Sequence, residues 1–244
     1  MRWKCGCSYD GTDYFGWQAQ KNGQLTVQEA VEIALAELFK ERVSISGSGR
    51  TDAGVHALEQ VFHFDFEWNH GSEKLLRAMR SLSPKTIRPL YVNLVPGDFH
   101  ARFSAISKRY EYRLHLGEAS PFDERYCWSV QNSINLNAMN DALTHLLGEH
   151  DFAAFAVNRG VEYESTVRTL TQASMIQEHS ILRIRFQANG FMYKMVRSLV
   201  GALVNIGIGS AEPESIKGLL ESGKRTPLVL VAPAKGLFLE KVFY

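Results

Sequence analysis

Residues 46–57 read Ser-Gly-Ser-Gly-Arg-Thr-Asp-Ala-Gly-Val-His-Ala, which sets one acid, Asp52, two positions after a guanidinium, Arg50. Gly47, Gly49 and Gly54 surround the pair. Glycine at that density lets a backbone turn tightly and come close to a ligand. An acid held beside an arginine in such a loop can serve as a nucleophile or a general base. An ordinary polar hairpin loop has the same composition. A phosphate cradle fits poorly, because the loop leads into residues 61–66, a strand pattern, rather than into a helix.

A second arginine, Arg197, lies in the apolar stretch 191–206, where Met192, Met195, Val196, Leu199, Val200, Leu203 and Val204 predict a buried helix. A guanidinium there must meet a carboxylate, face a cleft or snorkel to the surface, because burying it unpaired is costly. One of these options makes it the partner of Asp52. Gly190, Tyr193, Lys194, Arg197 and Gly201 follow at helical spacing as a more polar or small stripe.

Phe99-His100-Ala101-Arg102 and Lys108-Arg109-Tyr110-Glu111-Tyr112-Arg113 interleave basic and aromatic residues. Arginine and lysine suit phosphates, and a flat ring suits an unstacked base. A solvated sheet face has the same look. On a strand over 108–116, Tyr110, Tyr112 and Leu114 share one face and Arg109, Glu111 and Arg113 the other. Metal chemistry is disfavoured, since Cys5 and Cys7 have no second Cys or His pair at zinc spacing. His56 and His63 read as hydrogen-bonded structural residues. No serine sits in a Gly-x-Ser-x-Gly elbow, which argues against a serine hydrolase.

The elements that must hold these residues alternate between short strands and amphipathic helices. Arg2–Tyr9 reads as a strand closed by Asp10-Gly11. Thr26 and Glu29 form a capping-box spacing for a helix through Lys40, with Val27, Ala30, Val31, Ala34 and Leu38 at helical intervals. Strands follow at 42–46 and 58–68, then a helix capped by Ser72, then a strand at Ile87–Val95. That order, βαββαβ, is the ferredoxin-like unit. The second half repeats it: a strand at 108–116, a helix over 135–147 stopped by Gly148, and strands at 168–177 and 181–189. The helix 191–206, a shorter one over 213–220 and a closing strand at Leu237–Phe243 complete it. The expected class is α+β, two ferredoxin-like halves (1–103 and 104–244) sharing one continuous, mostly antiparallel sheet.

Composition narrows the classes. Of 244 residues 45% are hydrophobic and 22% charged, enough apolar residue for a packed core and too little charge for disorder. Lys and Arg total 27 against 26 Asp and Glu, which excludes a uniformly basic binder but not a local patch. Three cysteines cannot make a paired disulfide framework, so a reducing cytoplasm is the simplest setting. The first nine residues lack a signal-peptide run, and the apolar stretch 181–209 is broken by Arg183, Arg185, Lys194 and Arg197.

Taken in order, Tyr9-Asp10-Gly11, Phe15-Gly16-Trp17-Gln18, Thr26-Val27-Gln28 and Gly49-Arg50-Thr51-Asp52-Ala53-Gly54-Val55-His56-Ala57 resemble the tRNA pseudouridine synthase A family. So do Phe99-His100-Ala101-Arg102-Phe103, Lys108-Arg109-Tyr110-Glu111-Tyr112, His150-Asp151-Phe152, Met195-Val196-Arg197 and Ala232-Pro233-Ala234-Lys235-Gly236-Leu237-Phe238-Leu239. The resemblance spans essentially the whole chain. It implies two related α/β halves with a basic active-site cleft between them, and isomerisation of uridine to pseudouridine in tRNA. The family's usual targets are nucleotides 38–40 of the anticodon stem-loop. It implies further a homodimer in which one tRNA contacts both subunits, and a reaction without metal or organic cofactor. Carried onto matching positions, Asp52 is the nucleophile, Arg197 its charge partner and Tyr110 the residue against the target base. Leu237 lines the uracil pocket, and Arg50 reaches into the RNA. His100, Arg102 and Arg109 of the basic stretch are then substrate contacts.

Overall fold

The computed structural model describes residues 1–20, 23–158, 160 and 163–244. It has two compact units. The first comprises Met1–Ile106 with Phe238–Tyr244, the second Ser107–Leu237. Both mix helices with sheet, and among the described residues the ladders within each unit are antiparallel except at two short parallel ones. The expected α+β, mostly antiparallel class is the one observed.

In the first unit β1 (Arg2–Tyr9) lies between β3 (His56–Asp65) and β4 (Ile87–Val95), and β2 (Ser46–Gly47) pairs with β3. The strand order β4-β1-β3-β2, all antiparallel, is that of the ferredoxin-like unit. Alternation buries Trp3, Cys5, Cys7 and Tyr9 of β1 beside Phe62 and Phe64 of β3. Helix α1 (Val27–Phe39) begins as its capping box demands, the Thr26 hydroxyl accepting from the Glu29 amide at 3.3 Å. Its buried residues Val27, Ala30, Val31, Ala34 and Leu35 follow the 3.6-residue period. It ends where Lys40 takes a left-handed φ of 60°.

Two expectations shift here. The strand expected at 42–46 is a ladder of only Ser46–Gly47, because side chains of α1 take the backbone groups a ladder would have used. Glu32 accepts from the Ile45 amide at 3.1 Å, and Gln28 donates to the Ile45 carbonyl at 3.3 Å. Ser72 is the first residue of α2 (Ser72–Leu82), not its cap. Gly71, at φ 80°, occupies the cap without a side-chain bond.

In the second unit β5 (Ser107–Leu116) pairs with β9 (Ile181–Ala188), which pairs with β8 (Val167–Glu178) and that with β7 (Gly148–Asp151). The short β6 (Trp128–Val130) runs parallel to the end of β5. The order β5-β9-β8 repeats the last three places, β1-β3-β2, of the first unit's sheet. Tyr112, Leu114, Ile184 and Phe186 are fully buried on one face. Helices α3 (Leu136–Thr144) and α4 (Met195–Gly207) pack together, so closely that a Cβ on Gly207 would fall 2.8–2.9 Å from Ile134 and Met139. A further helix, α5 (Ser215–Ser222), replaces the one expected at 213–220. Helix α3 stops at Thr144, short of Gly148, which instead opens β7 at φ 100°.

Helix α4 begins at Met195 rather than 191. Lys194 sits at its cap with a left-handed φ of 58°, which a helix cannot pass through. Phe191 and Met192 continue the apolar run and so look helical, yet they belong to the preceding turn. Finally, β10 (Leu237–Phe243) runs parallel to β3, Phe238 opposite His56 and Leu239 opposite Ala57. Residues 238–244 therefore cluster with the first unit instead of with residues 104–237, and the boundary expected after 103 lies after Ile106.

Candidate active site

The loop between β2 and β3 carries Arg50 and Asp52, and the first unit grips it at four points. Ser48 and Gln60, both fully buried, close its base. The Ser48 hydroxyl donates to Gln60 Oε1 at 2.6 Å, and Gln60 Nε2 donates to the Gly49 carbonyl at 3.1 Å. Thr51 is fixed through its hydroxyl, 2.9 Å from the Tyr9 phenol, and through its carbonyl, which accepts from the Trp17 amide at 3.1 Å. The Asp52 carbonyl accepts from the Val55 amide at 3.1 Å, with Gly54 at φ 75° inside the turn. His56 accepts from the Gly11 amide through Nδ1 at 3.1 Å and stacks on Phe238, ring centroids 4.7 Å apart. Asp52 thus stands on a turn held by its neighbours on either side, with its side chain partly exposed.

Close backbone approach makes this grip possible. A Cβ on Gly11 would lie 2.0 Å from the Val55 carbonyl oxygen, and one on Gly16, at φ 86°, 2.6 Å from that of Thr51. Only glycine fits at either place.

After β4 the basic segment folds back on the first unit. His100 Nδ1 accepts from the amides of Arg102 and Phe103 at 3.1 and 3.3 Å, and its ring meets His63 edge-on at 4.7 Å. His63 is held below its ordinary pKa, first by burial and then by His100 and Arg2. Arg102 lies over the Phe103 ring, which is 76% exposed.

In the second unit Tyr110 is buried on the apolar face of β5, with Phe191 edge-on at 5.1 Å. Arg109 falls on the opposite face, as strand alternation requires. That face also carries a buried Glu111 ringed by Arg113, Arg183 and Arg185 at 2.7, 2.7 and 2.8 Å. Burial pushes the Glu111 carboxyl up, but the arginines outweigh burial and hold it below its ordinary value.

Arg197 is the third residue of α4, and its Nε donates to the Ala232 carbonyl at 2.7 Å while its own carbonyl accepts from the Ala232 amide at 3.1 Å. Gly201, one turn on, lets the Leu230 carbonyl come within 1.9 Å of where a Cβ would be. A turn further, Asn205 donates to the Leu228 carbonyl at 2.9 Å. Arg225 adds bonds to Ser198 and to the Val229 carbonyl, at 3.1 and 2.6 Å. Residues 225–233 are therefore strapped along one stripe of α4. The strap continues through Pro233, whose carbonyl accepts from the Tyr112 phenol at 2.8 Å, to a short turn at Ala234–Gly236 and then Leu237, which is 6% exposed. Lys235 in that turn pairs with Glu124.

A family model described as tRNA pseudouridine synthase matches residues 7–104 and 142–244. The tRNA pseudouridine synthase A of Exiguobacterium sibiricum is 40% identical over 243 residues, covering 100% of this chain and 96% of the relative. Those of Thermoanaerobacter sp. and Chlamydia muridarum are 39% and 41% identical, covering 97% of this chain and 96% and 90% of theirs. The chain belongs to the tRNA pseudouridine synthase A family.

For a member of this family the residues expected from sequence fall in two sets. Arg50, Asp52, His100 and Arg102 lie in the first unit, the former pair on one loop and the latter on the segment after β4. Arg109, Tyr110, Arg197 and Leu237 lie in the second, and there the strap joins Arg197 to Leu237. The sequence reading quoted Tyr9, Gln18 and Gln28 only as motif positions, and gave no holding role to them, to Gln60 at the loop, or to Ser198, Asn205 and Arg225 at the strap. One signal was present. The small and polar stripe on α4 runs Arg197, Gly201, Asn205, whereas the stripe read from Gly190 through Lys194 lies before the helix begins. Among the described residues no group of three or more His, Cys, Asp or Glu is placed to hold a metal ion, and no helix is long and apolar enough to cross a membrane.

Proposed function

We propose that this chain, which isomerises uridine to pseudouridine in tRNA, acts at nucleotides 38–40 of the anticodon stem-loop with Asp52 as the nucleophile. The observation that carries the assignment is the turn at Asp52, gripped by Tyr9, Trp17 and Gln60 so that one partly exposed carboxylate stands on an otherwise fixed loop. Such a scaffold supplies what a nucleophile needs, a set position with little freedom to lose on reaction.

The reaction breaks the N1–C1′ bond of uridine, turns the uracil and forms a C5–C1′ bond, while the C5 hydrogen leaves as a proton and N1 gains one. Nothing is oxidised or reduced, so the chemistry requires a nucleophile and a shaped pocket rather than a redox partner. The target nucleotide must leave its stack to be reached. In this reading Arg50 enters the helix and holds the base out, Tyr110 lies against the base, and Leu237 walls the uracil while it turns. Arg197 pairs with Asp52 as its opposite charge. His100, Arg102 and Arg109 contact the RNA. The enzyme acts as a cytoplasmic homodimer without metal or organic cofactor, and sedimentation of the pure chain reads the dimer directly.

Asp52→Asn tests the central role. The variant is expected to bind tRNA as the unaltered chain does and to release no tritium from tRNA labelled at C5 of uridine. Tritium release at the full rate removes Asp52 from the mechanism.

A further inference from the structure

Helix α1 of the first unit reaches the catalytic loop through a chain of side-chain amides. Arg50 Nε donates to Gln18 Oε1 at 3.1 Å, and Gln18 Nε2 donates to Gln28 Oε1 at 2.6 Å. Gln28 Nε2 in turn donates to Glu32 Oε1 at 2.9 Å and to the Ile45 carbonyl at 3.3 Å. The Gln28 oxygen also accepts from the Ala19 amide at 3.1 Å. Each amide accepts on one side and donates on the other. Turning either one over would set two acceptors or two donors face to face, so the chain has a single direction, from Arg50 to Glu32.

The backbone beneath it is equally fixed. The Val27 and Gln28 amides at the start of α1 donate to the carbonyls of Gly16 and Trp17 at 3.1 and 2.9 Å, and the Trp17 amide donates to Thr51 at 3.1 Å. Gln28 is 9% exposed and Arg50 is exposed. An anchored core residue thus passes its position outward to a surface arginine. A solvated arginine side chain samples many rotamers. Pinning Nε sets the plane of the guanidinium and aims its two-pronged edge, the edge that matches phosphate or base acceptors.

We propose that Gln18, held by Gln28, is the positioning residue for Arg50, so that α1 sets how this arginine enters the RNA. The inference rests on the reading that Arg50 holds the target nucleotide out of its stack. If so, losing Gln18 slows the step after binding and leaves binding itself nearly unchanged.

The experiment measures single-turnover pseudouridine formation and tRNA affinity for Gln18→Ala, Arg50→Ala and the double variant. Gln18→Ala is expected to form pseudouridine about 10-fold more slowly at saturating tRNA, with affinity within about twofold and an unchanged melting temperature. The double variant is expected to match Arg50→Ala alone, because residues acting as one unit do not add. A double variant that loses the product of the two single factors overturns the inference. So does Gln18→Ala at the full rate while Arg50→Ala is slow. Arg50→Ala at the full rate overturns the reading of Arg50, and the inference with it.

Discussion

Replacing Gly16 by alanine is expected to slow the enzyme far more than it destabilises the fold. Gly16 has a φ of 86°, where an L residue costs about 1–2 kcal/mol. The added Cβ would stand 2.6 Å from the Thr51 carbonyl oxygen and 3.2 Å from the Asp52 carbonyl carbon and the Ala53 amide nitrogen, where ordinary contact begins near 3.4 Å. The loop must retreat by about 0.8 Å. That carbonyl is also the acceptor for Trp17 at 3.1 Å, so the retreat stretches the bond past its useful range and loses about 1 kcal/mol. Together these cost about 2–3 kcal/mol, a fall in Tm of roughly 5–10 °C for a chain of this size. The larger effect falls on Asp52, one residue beyond the displaced carbonyl. A misplacement approaching 1 Å is worth about 100-fold in rate. Tritium release from C5-labelled tRNA under single-turnover conditions measures it. Gly23→Ala is the control, since Gly23 has a φ of 74° but, among the described residues, nothing within 4 Å of an added Cβ. It should show the backbone cost alone and keep the full rate. Gly16→Ala at the rate of Gly23→Ala would refute the claim that this contact positions Asp52.

Two other substitutions separate packing from propensity and charge from burial. Gly201→Ala improves helix propensity by about 1 kcal/mol, yet its Cβ would fall 1.9 Å from the Leu230 carbonyl oxygen. Net destabilisation in thermal melting, with loss of activity as the strap leaves Arg197, is the expected result, and a raised Tm counts against the strap. Glu111→Gln leaves Arg113, Arg183 and Arg185 without their shared carboxylate and should cost about 2 kcal/mol or more at neutral pH. Because the folded carboxyl lies below its ordinary value, its stabilisation is full above that value and is lost as pH falls through the folded one. Urea unfolding should therefore show the gap between the two proteins narrowing below about pH 4, and a gap independent of pH would contradict the arginine ring.

Which elements can be read from the sequence follows from where their hydrogen bonds go. Strands β1, β4, β5 and β9 bury one face and pair along their length, so period two marks them clearly. Helix α1 announces itself through Thr26 and Glu29, a bond spanning three residues. Elements set by distant partners do not show in this way. The segment before β2 looks like a strand, but Glu32 and Gln28 of α1 take its polar groups. Strand β7, residues Gly-Glu-His-Asp, has no apolar alternation at all and exists because β8 offers it an edge.

The same distinction runs through the candidate site. Arg50, Asp52, Tyr110 and Arg197 can be picked out because their chemistry is carried by residue type and local spacing. Residues that hold them or their loop neighbours lie 32 to 42 positions away in the chain, as with Gln18 to Arg50, Ala232 to Arg197 and Tyr9 to Thr51. No short-range pattern encodes such pairs.

The start of α4 shows what that distinction changes physically. A helix beginning at residue 191 would put Arg197 in its second turn, as a charge to be excused by a partner. The left-handed Lys194 delays the start to Met195 and leaves Arg197 in the first turn. There the positive end of the helix dipole, carried by the first-turn amides, adds to its own charge. Arginine is a poor choice at that place for helix stability. The cost makes sense if the end of the helix serves to receive an anionic group, because the guanidinium and the helix dipole then act together. The Ala232 carbonyl takes Nε and so fixes the plane of the guanidinium. The apolar run hides this helix end from a periodicity reading, and the backbone reversal at Lys194 is what places the arginine in the first turn.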